Sequence, residues 1–135
     1  MTSSASTAHP LNTVAGVEVS GDHWIGGRRV SSAERFDDIS PIDEQVIASI
    51  ARGGPAEAGA AVAAAKAAFP AWAATPPVER ARLLHRIADL VEERLEQLAI
   101  VETTDNGALL RSHLRGVMPR VAHNFRFFAD YLVND

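Results

Sequence analysis

The chain has 135 residues, 47% of them hydrophobic, a formal charge of −4 from 13 basic and 17 acidic residues, and no cysteine. That length supports one domain burying roughly two-thirds of its unfolded surface and is short for a two-domain enzyme. The acidic balance argues against general attraction to nucleic acid or anionic membranes, and the missing cysteine excludes disulfides, thiolate metal sites and a cysteine nucleophile.

Residues 1–22 are rich in Ser, Thr, Ala and Gly and carry no Lys or Arg. They fit neither a secretory signal nor a transit peptide, and are expected to form a flexible tail ahead of a folded segment spanning 23–135. His23-Trp24-Ile25 and Arg28-Arg29-Val30 flank Gly26-Gly27, a pair suited to the positive φ angles of a tight hairpin turn. A second hairpin is expected from Phe36 to Ser40 and Val46 to Ala51, with Val46, Ala48 and Ile50 on one face. The edges of these ribbons are expected to pair with something the chain itself does not supply.

From Gly53 to Gly107 the period becomes helical. Gly54 and Pro55 open a first helix, with Glu57 in its positive end. Ala58, Ala61, Val62, Ala65 and Phe69 form its apolar stripe, Pro70 is expected to end it, and Trp72 to anchor the link as core. Thr75 is a candidate N-cap ahead of Pro76 and Pro77. Leu84, Ile87, Val91, Leu95, Leu98 and Val101 follow on one stripe, flanked by Leu83 and Leu90, in one amphipathic helix or two consecutive ones. Arg82, Arg86, Asp89, Glu93 and Glu96 lie opposite, as does a solvated His85 with Asp89 as its only tuning neighbour. Gly107 is expected to close the helix in a left-handed conformation.

Val117, Val121, Phe125, Phe128 and Leu132 mark a last amphipathic helix, interrupted where Gly116 and Pro119 weaken the ladder. The Phe125, Phe127 and Phe128 cluster reads as core. His113 and His123 are too widely spaced for a zinc pair. Phosphate-loop, dinucleotide, nucleophile-elbow and zinc-protease motifs are absent from the sequence, as is any apolar run long enough to span a bilayer. The fold class is therefore α/β, with two short hairpins followed by amphipathic helices. Such a chain is an interaction module or a piece of a larger enzyme.

Four blocks in order, HWIGGRRV, FDDISPIDEQVIASI, the run from AAVAAAKAAFPAWAATPP to ETTDNG, and MPRVAHNFRFFAD, resemble the N-terminal part of the NAD(P)-dependent aldehyde dehydrogenase superfamily. Within it the chain is most similar to the 5-carboxymethyl-2-hydroxymuconate semialdehyde dehydrogenases of aromatic-acid degradation, on Gly53-Gly54 and the PRVAHNFRFFAD block. Ala108-Leu109 departs from the Lys-Pro found in much of the wider family. The resemblance implies a cytoplasmic homo-dimer or homo-tetramer with a Rossmann-like cofactor domain, whose first, incomplete segment is residues 23–135. It implies a cysteine that attacks the aldehyde, hydride transfer to NAD or NADP, a glutamate that activates water, and an asparagine with the cysteine N–H holding the oxyanion.

None of those catalytic or cofactor-binding residues is expected in this chain, which alone should be inactive and should need the remainder of its own polypeptide. The resemblance also implies a Na⁺ or K⁺ site formed by main-chain oxygens near Asp38 and Ile39 and by the Asp105 carboxylate. The alternative is that Asp105 only closes a helix and Asp38 is solvated. Two other functions stand beside the enzyme reading. One is a stand-alone helical protein-interaction module. The weaker one is nucleic-acid binding through Arg80, Arg82, Arg86, Arg111, Arg115 and Arg120, which the net charge opposes; neither nucleic acid nor membrane is expected as a partner.

Overall fold

The computed structural model describes residues 9–134. The chain divides into two compact units, one running to Trp72 and the other beginning at Ala73. The first holds three antiparallel two-stranded ribbons: β1 (Asn12–Val14) with β2 (Val17–Val19), β3 (His23–Ile25) with β4 (Arg28–Val30), and β5 (Arg35–Ile39) with β6 (Val46–Ala51). Helix α1 (Pro55–Ala74) follows.

The β3–β4 hairpin forms as the sequence reading expects. Ile25 pairs with Arg28 across a two-residue turn in which Gly26 and Gly27 have φ of 60° and 77°, the left-handed region where a side chain costs energy. In the β5–β6 pair the register shifts between Asp38 and Ile39, where Ile47 is left over opposite them. That bulge interrupts the alternation, so Ala48 is buried while Val46 is exposed.

The expected tail is corrected over its described part. Residues 12–19 form a hairpin, and the segment around it is tied down; residues 1–8 lie outside the described residues. The Asn12 side chain acts as a substitute strand against β6. Its Oδ1 accepts from Ser49 N–H at 2.9 Å and its Nδ2 donates to Ser49 O at 3.3 Å. Gly21 O accepts from Ala51 N–H at 2.8 Å. A Cβ on Gly21 would fall 2.1 Å from Ser49 O, so only glycine permits this approach. The outer edge of β6 is thus covered by the chain's own N-terminal segment rather than by something external.

An ion pair sits beneath these ribbons. Asp22 Oδ1 accepts from Arg35 Nη1 at 2.8 Å, and its Oδ2 accepts from His9 N–H at 2.9 Å. Arg35 also donates to Ser31 Oγ and to both the carbonyl and the hydroxyl of Ser49. Burial pushes the Asp22 carboxyl up, but hydrogen bonds from Arg35, the His9 amide and Ser31 outweigh it and hold the group below its ordinary 3.8. A lowered folded-state value means that the stability from this pair is complete above the ordinary carboxylate pKa and lost as pH falls through the folded one. Trp24 fluorescence followed below about pH 4 should report this acid loss. An Asp22→Asn variant, weaker at neutral pH, should lack that limb of the curve.

Helix α1 opens as expected. Gly54 N–H donates to Glu57 Oε2 at 2.8 Å, and Ala58 N–H makes the first helical bond to Gly54 O. The Gly54 amide, with Glu57's own N–H, holds the Glu57 carboxyl below its usual range. Two expectations fail here. Pro70 does not end the helix, which continues to Ala74. The missing bond frees only the Lys66 carbonyl on an exposed stretch where water can take it, and the following alanines favour helix. No residue of α1 is buried, with Val62, Phe69 and Trp72 at 54%, 65% and 43% exposure, so the alanine stripe has no cover and Trp72 is not core.

The second unit is helical: α2 (Pro77–Glu93), α3 (Leu95–Asn106), a single turn α4 (Leu110–Ser112), a π turn over His113–Val117, and α5 (Met118–Asn134). The long predicted helix is indeed two, parted at Arg94, whose φ of −115° leaves the helical region. Pro76 rather than Thr75 occupies the N-cap of α2, without a side-chain cap. Gly107 closes α3 at φ 74°, its N–H donating to Thr103 O.

Packing of α2 on α5 shifts the expected stripe: Leu84, Val91, Val121, Phe125 and Leu132 are half-buried, and their small neighbours are the most buried. Ala81 and Ala88 are buried on α2, and Met118, Ala122 and Ala129 on α5, each pair of alanines seven residues apart. Small side chains let the two backbones approach closely. The same face brings His85 Nε2 to Asp130 Oδ1 at 3.1 Å, and Arg126 to Glu92 and to Asp89 at 2.8 Å. His85 therefore meets Asp130, not Asp89. Hydrogen bonding by Arg126 lowers the Glu92 carboxyl, and Glu92 in turn raises Arg126. Of the residues read as polar, His85 and Asp89 reach α5, while Arg82, Arg86 and Glu93 stay exposed and pair within α2. Leu83, Ile87 and Leu98 remain 39–52% exposed, and Val117 in the π turn and Phe127 and Phe128 on α5 are exposed too. Phe127 and Phe128 stack edge to face at 5.2 Å on the surface rather than in a core.

Candidate functional site

Asp38 and Ile39 adjoin at the bulge near the end of β5 in the first unit, while Asp105 lies exposed in the last turn of α3 in the second. Among the described residues, no group of three or more His, Cys, Asp or Glu side chains is placed to hold a metal ion. No helix among them is long and apolar enough to cross a membrane.

The most built feature of the second unit lies along its π turn. Arg111, Ser112, Arg115, Gly116, Arg120 and Asn124, with Val117 and Val121, line a groove of about 770 Å³. Gly116 faces the open space of the groove, since a Cβ there would meet nothing within 4 Å. All three arginines are exposed, and none has an ion-pair partner among the described residues. Elsewhere in the unit Arg82, Arg86 and Arg126 are each matched to a carboxylate, while Arg80 and Arg94 have no ion pair among the described residues. Three unmatched guanidiniums beside an apolar wall and an amide offer charge-assisted hydrogen bonds to an anion with a carbon chain.

Sequence reasoning named these three arginines only in the nucleic-acid reading, among six spread over two helices. The structure separates them from Arg82 and Arg86, which pair with Glu79 and Glu93. The signal that could have isolated them is their spacing of four and five residues around Gly116 and Pro119, where an interruption of the helix was already expected.

The aldehyde dehydrogenase family model matches residues 28–134. The chain is 42% identical over 109 residues to 5-carboxymethyl-2-hydroxymuconate semialdehyde dehydrogenase of Escherichia coli, covering 81% of this chain and 23% of that protein. It is 38% identical over 113 residues to 2-aminomuconic semialdehyde dehydrogenase of Bos taurus, covering 84% and 23%. Among solved structures, gamma-glutamyl-gamma-aminobutyraldehyde dehydrogenase from Burkholderia cenocepacia J2315 superposes with a TM-score of 0.87 at 35% identity, over 90% of this chain and 25% of that one. PnpE in complex with nicotinamide adenine dinucleotide gives 0.79 at 40% identity, over 82% and 23%. The chain thus spans about a quarter of the length of these relatives, as the α/β segment of ribbons and helices expected from its sequence. It belongs to the aldehyde dehydrogenase family.

Proposed function

We propose that this chain is the N-terminal, non-catalytic part of an aldehyde dehydrogenase that oxidises a semialdehyde to a carboxylate with NAD or NADP. On this reading residues 23–135 begin the cofactor domain, and the remainder of the polypeptide covers the exposed Leu83, Ile87, Leu98 and α1 surfaces. The working enzyme is a cytoplasmic homo-dimer or homo-tetramer acting in aromatic-compound breakdown. The family's cysteine nucleophile and water-activating glutamate lie outside these residues, so the chain alone supplies support and substrate orientation, not turnover.

The observation that carries the substrate class is the unmatched arginine groove. A semialdehyde is a dicarboxylate with one end reduced, so it keeps an anionic tail. Arg111, Arg115 and Arg120 fit that tail by charge, while Val117 and Val121 fit its carbon chain. For the cation, oxygen donors suit Na⁺ or K⁺. The register shift between Asp38 and Ile39 interrupts the ladder beside the proposed main-chain ligands, and Asp105 would add a carboxylate. A bound cation would supply structural charge compensation only.

The reading is tested by titrating the chain with the dianion cis,cis-muconate while following the amides of residues 111–124. Arg120→Gln should weaken binding about tenfold, as loss of one charge-assisted contact implies. Equal affinity in variant and parent, or no binding by the parent, would contradict the groove assignment. The interaction-module reading has no observation in its favour beyond the exposed apolar faces, which the enzyme reading also explains.

A further inference from the structure

The turn carrying Arg115 and Gly116 is wider than an α turn, and that width decides which side chains share the groove. At about 100° per residue, an unbroken helix would set Arg120 roughly 140° from Arg115 and 180° from Arg111, facing away from both. The extra residue taken up by a π turn removes about 100° from each angle, leaving roughly 40° and 80°. All three arginines accordingly line one groove.

Two features hold the turn open. Pro119 has no N–H to return to the Arg115 carbonyl, so the α pattern loses one bond here and competes less well with the wider turn. Met118 N–H reaches back instead to His113 O, closing the wider ring. His113 is then fixed from the side: it is 4% exposed, and its Nδ1 is hydrogen-bonded to Thr103 Oγ1 on α3 at 2.9 Å. Neither Thr103 nor His113 lines the groove. A buried imidazole outside the groove lining, bonded across helices from within a π turn, is placed to hold a register.

We infer that the π turn, pinned to α3 by the Thr103–His113 hydrogen bond, sets the anion affinity of the arginine groove, with Thr103 and His113 as positioning residues. This rests on reading the groove as a carboxylate subsite. The test uses the full chain and cis,cis-muconate. Thr103→Val keeps the shape and removes the hydroxyl, and should weaken muconate about tenfold with helix content unchanged by circular dichroism. Thr103→Ser, which returns the hydroxyl, should restore parental affinity. Pro119→Ala, which returns the missing donor, provides a second route to the same loss. If Thr103→Val and Pro119→Ala bind as the parent does while Arg120→Gln is impaired, the positioning role is overturned and the groove stands. If Arg120→Gln also binds normally, the subsite reading and this inference fall together.

Discussion

Replacing Arg35 by Met is expected to lower the stability of the ribbon unit by about 3 kcal/mol, because removing one partner strands a buried charge. Asp22 has a fully buried side chain, and Arg35 is 14% exposed, so water cannot replace the lost guanidinium without opening the unit. The same change deletes the bonds to Ser31 and Ser49, which tie the segment after β4 to β6. By contrast, Arg82 and Glu79 are 71% and 50% exposed, and breaking that pair should have little effect. Urea unfolding followed by Trp24 fluorescence in a Trp72→Phe background measures the difference. The double change Asp22→Leu with Arg35→Met should recover part of the loss, since an apolar pair leaves no stranded charge. A loss under about 1 kcal/mol for Arg35→Met alone would mean that the pair is not what holds the ribbons.

That ion pair was invisible in the sequence for a definite reason. Asp22 was read as the end of a tail because the hairpin before it turns on Ala15-Gly16, with Ala15 at φ 48°, a conformation that no turn signal announces for alanine. Gly26-Gly27 announced its turn, and the β3–β4 hairpin was legible to the residue. Helix ends marked by local chemistry, such as Pro55 and Gly107, were equally legible. Pro70 misled because a proline in a solvent-exposed helix costs energy without stopping the chain.

Packing was less legible than periodicity. The stripes of Leu84, Ile87 and Val91 and of Val121, Phe125 and Phe128 are present, yet the helices meet through Ala81, Ala88, Ala122 and Ala129. Hydrophobic period identifies an apolar face but not which neighbour it meets. Small residues are the most buried at the α2–α5 contact because they permit close approach, while Leu84, Val91, Val121 and Phe125 are half-buried and Ile87 and Phe128 stay exposed. The groove shows the same limit: Gly116 and Pro119 signalled an interruption, but not that a π turn would rotate Arg120 toward Arg115. The cation ligands Asp38, Ile39 and Asp105 come from resemblance, and the structure adds to them only the bulge at Asp38 and Ile39.

The second large effect is an absence of turnover. Aldehyde oxidation in this family is read as requiring a cysteine nucleophile, and this chain has none among its 135 residues. Without a thiolate there is no thiohemiacetal from which hydride can leave, and the groove arginines, proposed to orient an anionic aldehyde, cannot supply that bond. Mixing the purified chain with a semialdehyde and NAD⁺, and following the absorbance of the reduced nicotinamide, therefore tests the account most directly. It predicts no aldehyde-dependent rise over the enzyme-free blank. A sustained, protein-dependent rise that scales with chain concentration would contradict it.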